Sequence, residues 1–561
     1  MRQMYVRGLG AVLIPLLCVM HTGCGGSTSS KPESAKTAVD DARKFAMPAS
    51  EAMPTADTPS QSAQTETYDH VAENALLSVK DRPRSTFSID TDTASYSNIR
   101  RFLQQRQLPP PDAVRIEECL NYFTYNYPPP DGDAPFSVHA EIAGCPWNPA
   151  HRLAKIGIQG RRISNLQRPG TNLVFLLDVS GSMNHPKKLP LLKESLRLLV
   201  EQLGENDHIA IVIYAGAAGV VLPSTSATRK KTIIDAIDHL HAGGSTNGAL
   251  GIRVAYDIAI ENFIREGVNR VILCTDGDFN VGISDPAQLT ALIESKAKSG
   301  VFLSVLGFGM GNLKDATMER LADRGNGNYA YIDSHAEAKK VLVDQLSGTL
   351  VTIAKDVKIQ VEFNPAQVAG YRLIGYDNRR LADRDFNDDR KDAGEIGAGH
   401  SVTAFYEIVP AGLSLASERN SELEPLKYQR AASLGEPANR LAGAPEVVAS
   451  RFRDELLTVS LRYKPPAGDT SQKLDFAVID RGTSFAQATS DFRFASAVAL
   501  FAMLLKDSPH SGQATMDLVL ELADSARGDD PNGYRAEFFE LVRLARGLRS
   551  DRPSHRDAPV D

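Results

Sequence analysis

Between residues 171 and 348 the apolar positions follow two patterns in turn. Leu173-Val174-Phe175-Leu176-Leu177 is a continuous apolar run, the signature of a strand buried on both faces. Leu189, Leu192, Leu196, Leu199 and Leu203 then recur every three or four residues, one stripe of an amphipathic helix. Ile209 to Tyr214 reads as a second buried strand, and residues 228–240 and 249–264 as helices. Val271-Ile272-Leu273-Cys274 and the run from Val301 to Leu306 are two further strands, separated by a helix near residues 286–299. Two more helices flank Tyr329-Ala330-Tyr331-Ile332. Strands alternating with amphipathic helices imply right-handed crossovers and an α/β domain with a doubly wound, mostly parallel sheet.

After Lys355 the period changes to two. Val357, Ile359, Val361 and Phe363 alternate with polar residues, as do Val402, Ala404, Tyr406 and Ile408, then Leu457, Val459, Leu461 and Tyr463, then Leu474, Phe476 and Val478. Several half-buried strands in a row predict a β-sandwich-like C-terminal domain. Residues 414–451 read as a long loop, residues 492–505 as a buried helix, and Tyr534, Phe538, Leu541 and Ala545 as one face of a last helix closing near Gly547. Residues 85–168 read as a small α+β region. It has a helix ending near Gln107, capped by Asp92 or Thr93, and a second helix over residues 114–123, set among proline-rich turns. The predicted order is a leader over 1–23, a disordered tether over 24–84, this N-terminal region over 85–168, the α/β domain over 169–350, the β-rich domain over 351–549 and a disordered tail over 550–561.

Composition narrows the function classes. The 561 residues carry 62 Lys+Arg against 69 Asp+Glu, a net charge of −7, which argues against a protein that coats nucleic acid. Five cysteines are too few for a disulfide scaffold. Cys274 falls within a core strand, while Cys119 and Cys145 are open to either pairing or free burial.

The first residues assign a compartment. Arg2 and Arg7 precede an apolar run from Leu9 to Met20 that is interrupted by Pro15, a secretory-signal pattern. Thr22-Gly23-Cys24 resembles the lipobox of bacterial lipoproteins, although His21 departs from it. The resemblance implies that Cys24 is lipidated and that the protein is anchored in the cell envelope. Gly25 in place of the aspartate used for inner-membrane retention points to the outer membrane, or the periplasmic face, if the organism is Gram-negative.

Ligands of open doubly wound sheets bind at the carboxyl ends of the strands. There the chain carries Asp178-Val179-Ser180-Gly181-Ser182, then Thr246 in a glycine-rich loop, then Thr275-Asp276-Gly277. Two carboxylates and three hydroxyls make an all-oxygen shell for a hard divalent cation, Mg²⁺ foremost, with Mn²⁺ or Ca²⁺ as alternatives. Asp178-x-Ser180-x-Ser182 with Thr246 and Asp276 resembles the metal-ion-dependent adhesion site of von Willebrand factor type A domains, over residues 169–348. The resemblance implies that Ser180, Ser182 and Thr246 bind the ion directly or through water. It also implies that Asp178 and Asp276 orient waters and hydroxyls, and that one position stays open for a partner's carboxylate. Ser88-Ile89-Asp90, Cys145-Pro146-Trp147-Asn148-Pro149, Phe386-Asn387-Asp388-Asp389 and Gly394-Glu395-Ile396-Gly397-Ala398-Gly399-His400 resemble the YfbK-like envelope lipoproteins over residues 85–549.

The sequence holds no nucleophile elbow, phosphate loop, His-Glu-x-x-His helix or Cys-x-x-Cys pair. Gly325-Asn326-Gly327-Asn328-Tyr329-Ala330 matches a dinucleotide fingerprint but follows a helix and precedes a strand, the reverse of the required context. His185 reads as the rim of the metal loop, and the acidic stretch 383–395 as a solvated turn. The expected function is non-enzymatic binding of a partner protein's acidic side chain through the metal, in adhesion or assembly. The alternatives are a metal-dependent hydrolase, with Asp276 or Asp278 as base, and a structural factor binding through its C-terminal domain.

Overall fold

The computed structural model describes residues 66–550, apart from 165–166, 217, 245–247, 278–285, 312, 414, 416–451 and 467. The leader, Cys24, Thr246, Asp278, most of the 414–451 loop and residues 551–561 therefore lie outside the described residues.

The α/β domain forms as its periodicity dictates. Six strands lie in the order Tyr329–Ile332, Phe302–Phe308, Val268–Thr275, Thr171–Asp178, His208–Tyr214, Ala218–Ser226. The first five are mutually parallel. Both faces are covered, which is why the central strand is apolar throughout. Leu173, Phe175 and Leu177 pack on the side of helix Leu189–Gln202, while Val174 and Leu176 pack with Ile252, Ala255 and Tyr256 of helix Gly248–Glu261. The sixth strand, Ala218–Ser226, runs antiparallel and went unpredicted. Its Pro223 and half-exposed Val220 mark an edge strand, where a proline costs no ladder bond and apolar alternation fades. Gly325 ends helix Asp315–Arg324 and Asn326 takes φ 53°, so the dinucleotide-like string is a helix terminus.

The N-terminal region and the C-terminal domain, expected as neighbours, share their sheets. One sheet runs Leu77–Ser78, Val368–Ile374, Ser401–Pro410, Arg152–Gly160, Phe136–Gly144. The other runs Arg380–Leu381, Arg84–Ser88, Thr352–Phe363, Leu457–Lys464, Gln472–Val478, with Gly394–Gly397 added on Thr352–Phe363. Aromatic contacts join them face to face: Phe363 stacks on Tyr371 at 4.0 Å and Phe136 meets Tyr463 at 4.7 Å. The sandwich is thus built from both ends of the chain, and the α/β domain is inserted between Arg152–Gly160 and Thr352–Phe363. At one crossing, glycine is obligatory: a Cβ on Gly397 would lie 1.9 Å from the Gly348 carbonyl oxygen. Gly397→Ala is expected to lower stability by about 1–3 kcal/mol, read as a fall in melting temperature.

The predicted tether ends earlier than residue 84. Leu77 pairs with Tyr371, the Asn74 side chain donates to the Leu373 and Gly375 carbonyls, and Glu66 forms a buried ion pair with Arg101. A polar composition can thus pack when its polar groups find partners. Helix Ala94–Gln104 starts after Thr93 without a side-chain cap. Asp92 instead accepts the Tyr329 backbone N–H, and Asp90 accepts that of Asp92. The last helix, Tyr534–Ser550, runs through Gly547 instead of closing there. Cys119, Cys145 and Cys274 are free and buried. Among the described residues, no helix is long and apolar enough to cross a membrane.

Buried ion clusters hold the segments together. Arg100 bonds Asp333, Glu337, Glu537 and the Tyr122 hydroxyl, joining the first helix, the end of the α/β domain and the last helix. In the sandwich, Glu407 meets Arg372 at 2.9 Å and His151 at 2.6 Å. Burial would raise the Glu407 carboxyl, but these two partners hold it down at about 2. Because the folded value lies below the ordinary 4.5, stability from this group is full above pH 4.5 and lost as pH falls towards 2. The loss should approach about 3 kcal/mol. Urea unfolding between pH 5 and 2.5 should show a shallower decline in Glu407→Gln than in the wild type.

Candidate metal centre

The parallel strands Thr171–Asp178 and Val268–Thr275 end side by side, Leu177 opposite Cys274, which sets Asp178 beside Asp276. The chain leaves the first strand so that the Ser180 backbone N–H donates to Asp178 Oδ1 at 2.9 Å. The next turn brings Ser180 Oγ and Ser182 Oγ to 3.0 Å. Gly243 donates to the Val179 carbonyl and Gly181 to that of Gly244, which fastens the loop ahead of Thr246 against the serines. Asp178, Ser180, Ser182 and Asp276 are thus brought together as the sequence predicts, while Thr246 lies outside the described residues.

The donor set is oxygen only, with two carboxylates buried beneath hydroxyls. Adjacent positions around an octahedral ion at 2.0–2.1 Å are about 3 Å apart, the spacing of the two serine oxygens. Burial pushes the Asp178 carboxyl up to about 6, the Asp276 charge adding to the rise against hydrogen bonds from Ser180. A carboxylate so disfavoured as an isolated anion is stabilised by a neighbouring cation. These residues fit a small divalent cation.

Three further residues shape the site and were not predicted. The Tyr214 hydroxyl donates to Asp178 Oδ2 at 3.2 Å, and Thr275 Oγ1 to the same oxygen at 3.4 Å. Each stands at the end of a core strand, a position whose side-chain direction periodicity alone leaves open. Lys188 donates to Asp276 Oδ2 at 2.8 Å. In sequence it is half of a Lys-Lys pair just before a helix, which reads as solvated. His185 is exposed and its ring accepts the Lys187 N–H, so it lies on the rim as expected.

Among the described residues one other acidic group is compact enough to hold an ion: Asp90, Glu118 and Glu319, with ligand atoms within 4.8 Å of one another. Arg379 pairs with Asp90 and Glu319, and Arg115 with Glu118 and Glu319, so each of its carboxylates already has a guanidinium partner. The stretch 383–395 is tied down as well, Asp383 by Thr86 and Asp389 by Arg462 and Ser471.

Comparison with known proteins finds three family models along the chain. The family model for the von Willebrand factor type A domain matches residues 172–345, and one described as von Willebrand factor matches 62–155. The model for the C-terminal part of the uncharacterized protein YfbK matches residues 348–548. YfbK of Escherichia coli (strain K12) is 42% identical over 491 residues, covering 86% of this chain and 82% of its own. Human inter-alpha-trypsin inhibitor heavy chain H3 is 27% identical over 259 residues, 42% of this chain and 28% of its own. Among solved structures, a von Willebrand factor type A protein from Catenulispora acidiphila aligns over 75% of this chain and 91% of its own, at 16% identity and a TM-score of 0.41. With an α/β domain inserted into a sandwich, and a relative this similar along most of both lengths, the chain belongs to the YfbK family of von Willebrand factor type A domain proteins.

Proposed function

We propose that this protein binds a partner protein in the cell envelope through a divalent cation held at Asp178, Ser180, Ser182, Thr246 and Asp276. The observation that carries the reading is the pair of serine hydroxyls 3.0 Å apart above Asp178, at the carboxyl end of the parallel sheet. Ser180, Ser182 and Thr246 bind the ion, and Asp178 and Asp276 orient its waters. Mg²⁺ is favoured, with Mn²⁺ or Ca²⁺ as alternatives, because a compact shell of hydroxyls, waters and few carboxylates suits a small, hard ion that keeps several of its waters. The partner offers an acidic side chain, whose charge the ion neutralises in a partly dehydrated site. Lipid on Cys24 anchors the protein. The role is adhesion or assembly; of the two candidate bases for hydrolysis through an ion-bound water, Asp276 is engaged by Lys188, and Asp278 lies outside the described residues.

Crosslinking from intact cells tests the reading. Wild type should capture a partner in Mg²⁺ and lose it in chelator, and Asp178→Ala should capture none under either condition. Recovery of the same partner by Asp178→Ala in chelator would sink it.

A further inference from the structure

The metal centre contains a cation of its own. Lys188 is the last residue before helix Leu189–Gln202, and its side chain turns inward across the backbone of Gly309. The fit is close: a Cβ on Gly309 would lie 2.4 Å from Lys188 Cγ and Cε. Gly309 follows strand Phe302–Phe308 and takes φ +80°, a conformation that leaves the path of the lysine stem clear. The stem delivers Nζ to Asp276 Oδ2 at 2.8 Å, with the lysine side chain 9% exposed and that of Asp276 fully buried.

We propose that Lys188 is a resident counter-charge that competes with the divalent ion for Asp276 and holds down the intrinsic metal affinity of the site. This rests on the metal-dependent binding proposed above and concerns its regulation. The two strand-end carboxylates are treated differently. Asp178 is held by neutral donors, the Ser180 N–H and the Tyr214 and Thr275 hydroxyls, whereas Asp276 is held by an ammonium. Taken together, Asp178, Asp276 and Lys188 present one net negative charge to an ion carrying two positive ones. In a buried setting the ammonium and the ion repel strongly, because solvent and salt screen them little. A carboxylate brought by the partner adds a negative charge to the ion's surroundings. Metal and partner then raise each other's affinity, and the ion is held firmly only in the complex.

Titration calorimetry of the whole chain with Mn²⁺ as the only ligand tests this. Lys188→Met keeps an unbranched apolar stem over Gly309 and removes the charge, so it should bind Mn²⁺ about tenfold or more tightly than wild type. The gain should vanish in the Asp276→Asn background, which a general structural effect of the substitution would not produce. Lys188→Gln, polar but uncharged, should show the same direction and stands in if Lys188→Met does not fold. Equal or weaker Mn²⁺ binding by a folded Lys188 variant, with wild type binding normally, overturns this inference alone. Absence of Mn²⁺ binding in wild type and variants alike removes the metal reading and this inference with it.

Discussion

Asp178→Asn is expected to lower divalent-ion affinity about 10- to 100-fold, the usual cost of losing a group that orients a metal's ligands, while making the ion-free protein more stable. Both effects follow from one carboxylate. Asp178 is fully buried, and burial holds its carboxyl up at about 6, well above an ordinary 3.8. Near neutral pH the ion-free protein therefore keeps a buried anion at a cost of up to about 3 kcal/mol. The amide removes that charge and can still accept from the Ser180 N–H. Melting curves in chelator and in saturating Mg²⁺ separate the two effects. The wild type should melt lower in chelator and gain with Mg²⁺, and Asp178→Asn should melt higher in chelator and gain less, by about 1–3 kcal/mol at the same Mg²⁺ concentration. A variant whose melting temperature still rises with Mg²⁺ as the wild type's does would show that the ion binds elsewhere.

Arg100→Met is expected to cost about 3–5 kcal/mol, the largest stability loss of any single change considered. The guanidinium lies among Asp333, Glu337 and Glu537, and the Asp333 and Glu337 side chains are 3% and 0% exposed. Methionine matches the volume of the stem but leaves those carboxylates buried without the guanidinium that bonds them. The nearby Lys340 already lowers Glu337 but is itself brought down to about 7 by burial and donates to the Tyr122 carbonyl, so it offsets only part of the loss. Guanidinium unfolding followed by circular dichroism would measure the loss. Asp333→Asn in the same background should recover part of it, since it removes one of the stranded charges.

The α/β domain was legible because its signals are local. A strand buried on both faces and a helix with one apolar stripe each declare themselves within a dozen residues, and Asp178, Ser180, Ser182 and Asp276 then fall at strand ends by counting. The sandwich was legible only as strands. Val357, Ile359 and Val361 alternate visibly, but nothing near them names Phe87, Thr86 and Ser85 as their neighbourhood across the ladder. Such pairing is decided by packing between distant segments. The strands Phe136–Gly144 and Arg152–Gly160 were missed for a related reason. The second is buried almost throughout yet includes Lys155 and Gln159, whose polar ends are met by Glu141 and by the Gly160 carbonyl. Lys188 and Arg100 illustrate the same limit: a cation in a sequence reads as solvated until the fold shows the carboxylate that buries it.

The shared sheets also fix an order in time. Arg84 lies opposite Glu362, 278 residues later, and at roughly 5–20 residues per second that partner is made some 15–55 s after it. The α/β domain draws its sheet from consecutive elements and can close as soon as its own residues are made. The early strands cannot. Until residues 352–410 arrive, Arg84–Ser88 and one side of Arg152–Gly160 are open edges of the kind that chaperones cover and that aggregate when left bare. A chain cut short after the α/β domain would keep its metal loops and lose its solubility.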